Sequence, residues 1–202
     1  MDSSPDIGLP VGSRLPRYTW EDFVAVGDDD RREFIDGDLI EVDVPNKRHE
    51  HAVGGILFRL RAWLHTQPGG GLVLPSDYKI RVSKYRGVMP DVQYFGPANP
   101  GSETLDDDDD ARPDLTVEVI APSSREYDQT TKLEWYAEIG VPEYWLVDPE
   151  AHALQRFQLR DGRYTISAAL RGDALFKPDT FQGLELPLAE LWSIGGSSRR
   201  VK

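Results

Sequence analysis

The run Arg112-Pro-Asp-Leu-Thr-Val-Glu-Val-Ile-Ala-Pro-Ser-Ser124 decides how this chain folds. Over 114–121 it reads as a strand with Leu115, Val117 and Val119 on one face and Thr116, Glu118 and Ile120 on the other, which sets an acid in mid-strand. A helix is predicted over roughly 126–139, stopped by Gly140 and Pro142 just beyond its end. The next strand, Glu143 to Val147, carries Tyr144 and Leu146 on one face and Trp145 and Val147 on the other. A strand apolar on both faces belongs inside a sheet covered on both sides. Strand, helix and strand in this order indicate an α/β sheet with at least one crossover helix.

Upstream, Val53, Ile56, Leu57, Leu60 and Leu64 recur at helical spacing, which predicts a helix from about His49 to His65 that ends at the Gly-rich break over 68–71. Strands are predicted at about 72–74, 77–82 and 91–95, followed by a loop over 96–112. Nearer the N-terminus, Trp20 to Val26 reads as a short helix with Thr19 as N-cap and Glu21 and Asp22 in its first turn. Two hairpins are predicted, one over 32–42 around Asp36-Gly37 and one joining 154–159 to 163–168 through Asp161-Gly162, since Asp-Gly suits a type I′ turn. Residues 1–16, rich in Pro, Gly and Ser, read as a flexible arm and 195–202 as a flexible tail, leaving 17–194 as a single domain. There is no internal repeat.

With 202 residues and 39% apolar content, the chain is long enough to bury a self-sufficient core. It has no cysteine, which excludes disulfides and thiolate metal sites. It has no apolar run of about 20 residues, and its first residues lack a secretory pattern. A cytoplasmic protein with no membrane partner is expected. The formal net charge of −12 argues against non-specific coating of nucleic acid. That charge is unevenly placed: five acids form the run Asp106 to Asp110, whereas Lys79, Arg81, Lys84 and Arg86 form a basic segment just before Asp91. Screening over about 10 Å at 0.1 M salt makes the local sign count for more than the total.

Carboxylates from neighbouring strands with one lysine nearby are what a magnesium-dependent phosphodiester hydrolase requires. The acids hold the cation, and the lysine steadies the attacking water or the phosphate charge. Two Pro-Asp pairs offer the first acid. Asp114 and Glu118 lie four residues apart on one strand, about 13 Å at roughly 3.3 Å per residue, too far to share a cation whose ligands lie at about 2–2.6 Å. Asp91 is therefore the partner expected for Glu118, and Asp114 reads as a strand-start or turn acid. Lys132 and Tyr136, four apart on the second helix, share a face. Read without any relative, Lys132 is a solvated lysine paired with Asp128 one turn earlier. Ser123 and Ser124 with Glu126 resemble a capping box rather than nucleophiles. Trp63, Trp135, Trp145 and Trp192 sit in apolar patterns and read as core.

The segments Met89-Pro-Asp-Val-Gln-Tyr-Phe95, Arg112 to Ser124 and Lys132-Leu-Glu-Trp-Tyr-Ala-Glu-Ile-Gly-Val-Pro-Glu-Tyr-Trp-Leu-Val-Asp-Pro-Glu150 resemble the bacterial Uma-type family of restriction-endonuclease-like proteins. The resemblance spans about residues 18 to 192. It implies the α-β-β-β-α-β core of the PD-(D/E)XK nucleases, a mixed sheet flanked by helices, with the N-terminal and C-terminal hairpins added. It places Asp91 and Glu118 at the acids of that pattern, with the Val119 carbonyl as a further metal ligand. Ile120 stands where the pattern has lysine, and the resemblance moves that lysine to Lys132 on the following helix. It also implies auxiliary roles for Glu33, at the start of the first hairpin, and for His51 on the first long helix, with Glu50 beside it and His49 a weaker candidate. Tyr136 would border the site, as would Asp77, and Lys79, Arg81, Lys84 and Arg86 would meet phosphates.

The expected function is a metal-dependent endonuclease hydrolysing DNA phosphodiester bonds with Mg2+, or with Mn2+ in its place. Two other readings stay open: a catalytically inactive nuclease-fold binding module, and a metal-dependent hydrolase of a small phosphorylated substrate. A homodimer would suit duplex cleavage, but no dimer surface is readable in the sequence.

Overall fold

The computed structural model describes residues 17–26, 32–41, 45–76, 78–103, 105, 111–121 and 125–193. The arm at 1–16, the tail at 195–202, the acid run at 106–110, Asp77, Ser123, Ser124 and the side chain of Glu126 lie outside what is described. The described chain runs α1 (Trp20–Ala25), β1 (Glu33–Ile35), β2 (Asp38–Ile40), α2 (Lys47–Leu64), β3 (Leu72–Pro75), β4 (Ile80–Ser83), β5 (Arg86–Val88) and β6 (Val92–Phe95). It continues through β7 (Leu115–Val119), α3 (Arg125–Gln129), α4 (Thr131–Glu138), β8 (Glu143–Asp148), β9 (Ala153–Arg160), β10 (Arg163–Arg171), β11 (Leu175–Phe176), β12 (Leu186–Pro187) and α5 (Ala189–Trp192).

A six-stranded sheet in the order β10-β9-β8-β7-β6-β3 forms the centre. Every pair in it is antiparallel except β7 with β8, which run parallel and are joined across the sheet by α3 and α4. Alternation along β7 and β8 divides the core. Val117, Val119, Trp145 and Val147 face α2 with its Ala52, Ile56 and Leu60. Ile120, Tyr144 and Leu146 face Trp135 and Tyr136 of α4. This is the mixed, helix-flanked sheet expected from the sequence, and all six residues of β8 are buried. Both Asp-Gly hairpins form, with Asp36 and Gly37 at φ 48° and 81°, and Asp161 and Gly162 at φ 50° and 74°.

Two predicted elements differ. The strand expected at 77–82 begins at Ile80 and does not join the central sheet. With β5, whose residues read in the sequence only as part of a basic segment, it forms a second sheet in the order β2-β1-β5-β4. Gly87 shows why β5 was hidden: a Cβ there would stand 2.6 Å from Trp20 Cζ3. Glycine, a poor strand former, is needed at this point because α1 packs directly on the backbone. The helix expected at 126–139 is broken at Thr130 (φ −123°, ψ −70°). At this break the carbonyl of Asp128 accepts the Tyr144 hydroxyl from the sheet below at 3.1 Å.

At the far end of β8, Glu143 is buried and accepts Arg156 Nε at 2.9 Å, Arg156 Nη2 at 3.0 Å, Trp145 Nε1 at 2.6 Å and the Thr180 hydroxyl at 2.7 Å. Removing one partner of such a pair leaves a buried charge uncompensated. Arg156→Met is therefore expected to cost about 3–5 kcal/mol in urea unfolding. The double change Arg156→Met with Glu143→Leu should recover most of it; a double variant no better than the single would contradict this account.

Candidate active site

Glu118 owes its position to the alternation of β7. Its neighbours Val117 and Val119 enter the core under α2, so its own side chain turns towards α4, where it is 2% exposed. Lys132 and Tyr136, one turn apart on α4, meet it there. Lys132 Nζ lies 3.0 Å from Glu118 Oε2, and the Tyr136 hydroxyl donates to Oε1 at 2.5 Å. Lys132 is only 4% exposed, so the solvated-lysine alternative does not hold. Its ammonium also lies 2.9 Å from Glu33 Oε1 on β1 and 3.3 Å from Asp128 Oδ1 on α3. An ammonium has three N–H donors, and these three acids match them in number.

Asp91 stands just before β6. The register pairs Val92 with Val117, so one step further Asp91 comes level with Glu118. Its Oδ2 accepts the Val119 N–H at 2.7 Å and lies 3.3 Å from His49 Nε2. The contact seen at Val119 is thus through its N–H. Asp114 makes no approach to Glu118; its Oδ2 accepts Gly96 N at 2.6 Å and Asn99 Nδ2 at 3.0 Å and ties down the loop after β6.

The two histidines of α2 exchange the importance given to them from sequence. His51 faces away from the acids, with Nε2 3.0 Å from the Glu190 carbonyl and 3.1 Å from that of Ser193, so it fastens the end of α5. His49 is 6% exposed and faces Asp91. The signal was available: counting back by helical steps from Ile56 and Val53 reaches position 49 on the buried stripe, whereas 51 falls on the outer side.

The basic residues frame a hairpin beside this cluster. Lys79 donates to the Phe23 carbonyl at 2.9 Å and lies over the Phe23 ring, while Arg86 bonds Asp36 at 2.6 Å. Arg81 is a looser neighbour of Glu21 at 3.9 Å, and Lys84 is exposed over the Tyr85 ring. Arg81 and Lys84 are the two least committed to structure.

One ammonium cannot neutralise three carboxylates. Burial raises the Glu118 pKa well above the usual 4.5. Lys132 opposes this, and the charges of Asp128 and Asp91 add to it. Burial also works against the Lys132 ammonium, but Glu118, Glu33 and Asp128 outweigh it and hold the lysine charged. Tyr136, raised by burial and by Glu118, stays a neutral donor. Desolvation would lower His49, yet Asp91 and Glu50 together carry it above the usual 6.5.

Among the described residues no group of three or more His, Cys, Asp and Glu side chains is arranged to hold a metal ion. A hard cation such as Mg2+ needs fewer, since it is commonly held by one or two carboxylates with water and substrate phosphate filling the rest. Asp91 and Glu118 fit that requirement in donor type.

An acid whose folded pKa is raised adds stability that is complete below about its unfolded value, 4.5, and is lost as pH rises through the folded value. Glu118→Gln, fixed in a neutral form, is expected to melt above the parent at pH 8 in the presence of a chelator, the gap closing towards pH 4.5. A lower melting temperature for the variant at pH 8 would refute the charge excess.

Comparison with known proteins agrees with this architecture. Residues 19–189 match the model of the Uma2 family, described as "Putative restriction endonuclease". The fold is similar to the crystal structure of "a putative nuclease" from Anabaena variabilis ATCC 29413, with a TM-score of 0.69 and 18% sequence identity, covering 86% of this chain and 97% of that one. No curated protein matches the chain. The family match extends over most of the chain and takes in the strands and helices that carry Glu33, His49, Asp91, Glu118 and Lys132, and the chain belongs to the Uma2 family of nuclease-like proteins.

Proposed function

We propose that this chain is a metal-dependent endonuclease that hydrolyses DNA phosphodiester bonds, with Mg2+ as its cation and Mn2+ as a substitute. The observation that carries the reading is the placement of Asp91, one residue before β6, beside Glu118 of the adjacent β7, close enough for its charge to act on the Glu118 carboxyl, with the Lys132 ammonium 3.0 Å from Glu118. Asp91 and Glu118 would hold the cation, with the Val119 carbonyl as a further oxygen. When bound, such a cation lowers the pKa of its water and offsets phosphate charge.

The chain's own groups have separable tasks. Lys132 and Tyr136 grip the two oxygens of Glu118 and keep its carboxyl oriented. Glu33 and Asp128 hold the lysine in turn. With its ammonium paired to three acids and hydrogen-bonded to Glu118, the first task of Lys132 is to fix Glu118. Arg81 and Lys84 would meet the DNA backbone, giving a local attraction that the net charge of −12 conceals.

Cleavage of plasmid and duplex oligonucleotides in Mg2+ or Mn2+, compared with a chelator, tests this directly. Asp91→Ala and Glu118→Gln are each expected to lower the rate by about 100-fold or more. Cleavage that ignores the chelator, or that survives in the double variant, would rule the proposal out.

The pairing of the buried Lys132 ammonium with three acids inside the protein favours a second reading, a nuclease-fold module that binds nucleic acid without cutting it. Both readings expect the same electrostatic footprint. Arg81→Ala and Lys84→Ala should each flatten the dependence of log K on log salt by about 0.9 for every phosphate that the variant no longer neutralises. An unchanged slope would move the interface away from this hairpin. Metal-dependent cleavage separates the two readings.

A further inference from the structure

His49 has no task in the reading above, yet its placement is closely determined. It lies in the first turn of α2, where the Asn46 side chain accepts its N–H at 3.1 Å. Its ring stands between two acids, with Nε2 3.3 Å from Asp91 Oδ2 and Nδ1 3.3 Å from Glu50 Oε1. Asp91 occupies a bend outside β6, where strand pairing no longer fixes its backbone. Its carboxylate is oriented by two groups from different elements, the Val119 N–H of β7 and the His49 ring of α2, and both meet the same oxygen, Oδ2. Among the described residues no hydrogen bond reaches Oδ1, and the side chain is 16% exposed. A short side chain restrained from two directions through one oxygen has the direction of its other oxygen fixed.

We propose that His49 is a positioning residue: its Nε2 holds Oδ2 of Asp91 so that Oδ1 is presented to the cation. This rests on the reading of Asp91 and Glu118 as cation ligands. Hydrogen-bond partners behind a metal-bound carboxylate act by orienting it, and their loss commonly costs about 10–100-fold in metal affinity. The ring itself stays off the metal, because its Asp91-facing nitrogen is committed to Oδ2.

Two amide variants separate positioning from packing. The Gln amide nitrogen can occupy the place of Nε2 and still reach Asp91. The Asn amide ends where Nδ1 lies and serves only Glu50. The two are alike in polarity, so a simple need for a polar group here would treat them alike. Binding of Mn2+ to the otherwise intact protein, followed by electron paramagnetic resonance without any substrate, is expected to weaken about 10–100-fold in His49→Asn. It should stay within about threefold of the parent in His49→Gln. Pulsed spectra of the parent should lack coupling to an imidazole nitrogen.

Equal Mn2+ affinity in His49→Asn and the parent, with binding abolished by Glu118→Ala, would overturn the role of His49 and leave the cation site standing. A nitrogen coupling that disappears in His49→Gln would overturn it too, by making the ring a direct ligand. No Mn2+ binding by the parent would overturn the cation site and this inference together.

Discussion

The Lys132 ammonium, buried among Glu33, Glu118 and Asp128, ties together parts of the chain that would otherwise have little reason to meet. Glu33 belongs to the small sheet, Glu118 to the centre of the large one, and Asp128 to the helix before the break. Removing an ammonium from water costs several kcal/mol even after relaxation, and three carboxylates at 2.9 to 3.3 Å supply the compensation. The geometry has demands of its own. β1 must present its first residue inward, β7 must alternate so that Glu118 leaves the α2 face, and the helix must break at Thr130. The small sheet is therefore coupled to the site through charge as well as through its own core of Trp20, Phe23 and Phe34.

That coupling has an electrostatic cost which suits function better than stability. Among the described side chains three acids face one base, where burial favours neutrality. The strain falls on Glu118, the group proposed to face a cation. Burial and the neighbouring acids Asp128 and Asp91 push the Glu118 carboxyl upward, against the opposing charge of Lys132. Proteins tolerate such local discomfort where a ligand relieves it.

Much of this was legible in the chain because strand alternation and Asp-Gly turns are local signals. Residues 114–121 and 143–147 announced their faces, and both hairpins turned where Asp36-Gly37 and Asp161-Gly162 required. That Asp91 and not Asp114 lies beside Glu118 followed from spacing, since a separation of four along one strand ruled out Asp114. What the sequence concealed depended on distant partners. Gly87 looks like a strand breaker until Trp20 is seen lying against it. The break at Thr130 coincides with the hydrogen bond from Tyr144 to Asp128. Lys132 looked like a surface lysine because its second acid lies almost a hundred residues upstream, in a different sheet. His49 and His51 could have been told apart by extending the apolar stripe of α2 one turn towards its start.

The open edge of the large sheet, β10, has a bearing on how copies of this protein meet. The outward-facing backbone groups of this nine-residue strand, with Ile166 58% exposed, are an invitation to pair with the same strand of a neighbour. Antiparallel self-pairing centred on Ser167 would set Arg163 of one copy against Arg171 of the other at both ends, and like charges directly opposite repel. The irregularity between Ile166 and Ala168 falls at the middle of that hypothetical ladder, where it would interrupt the hydrogen bonding. In that register the strand carries its own protection against sheet extension.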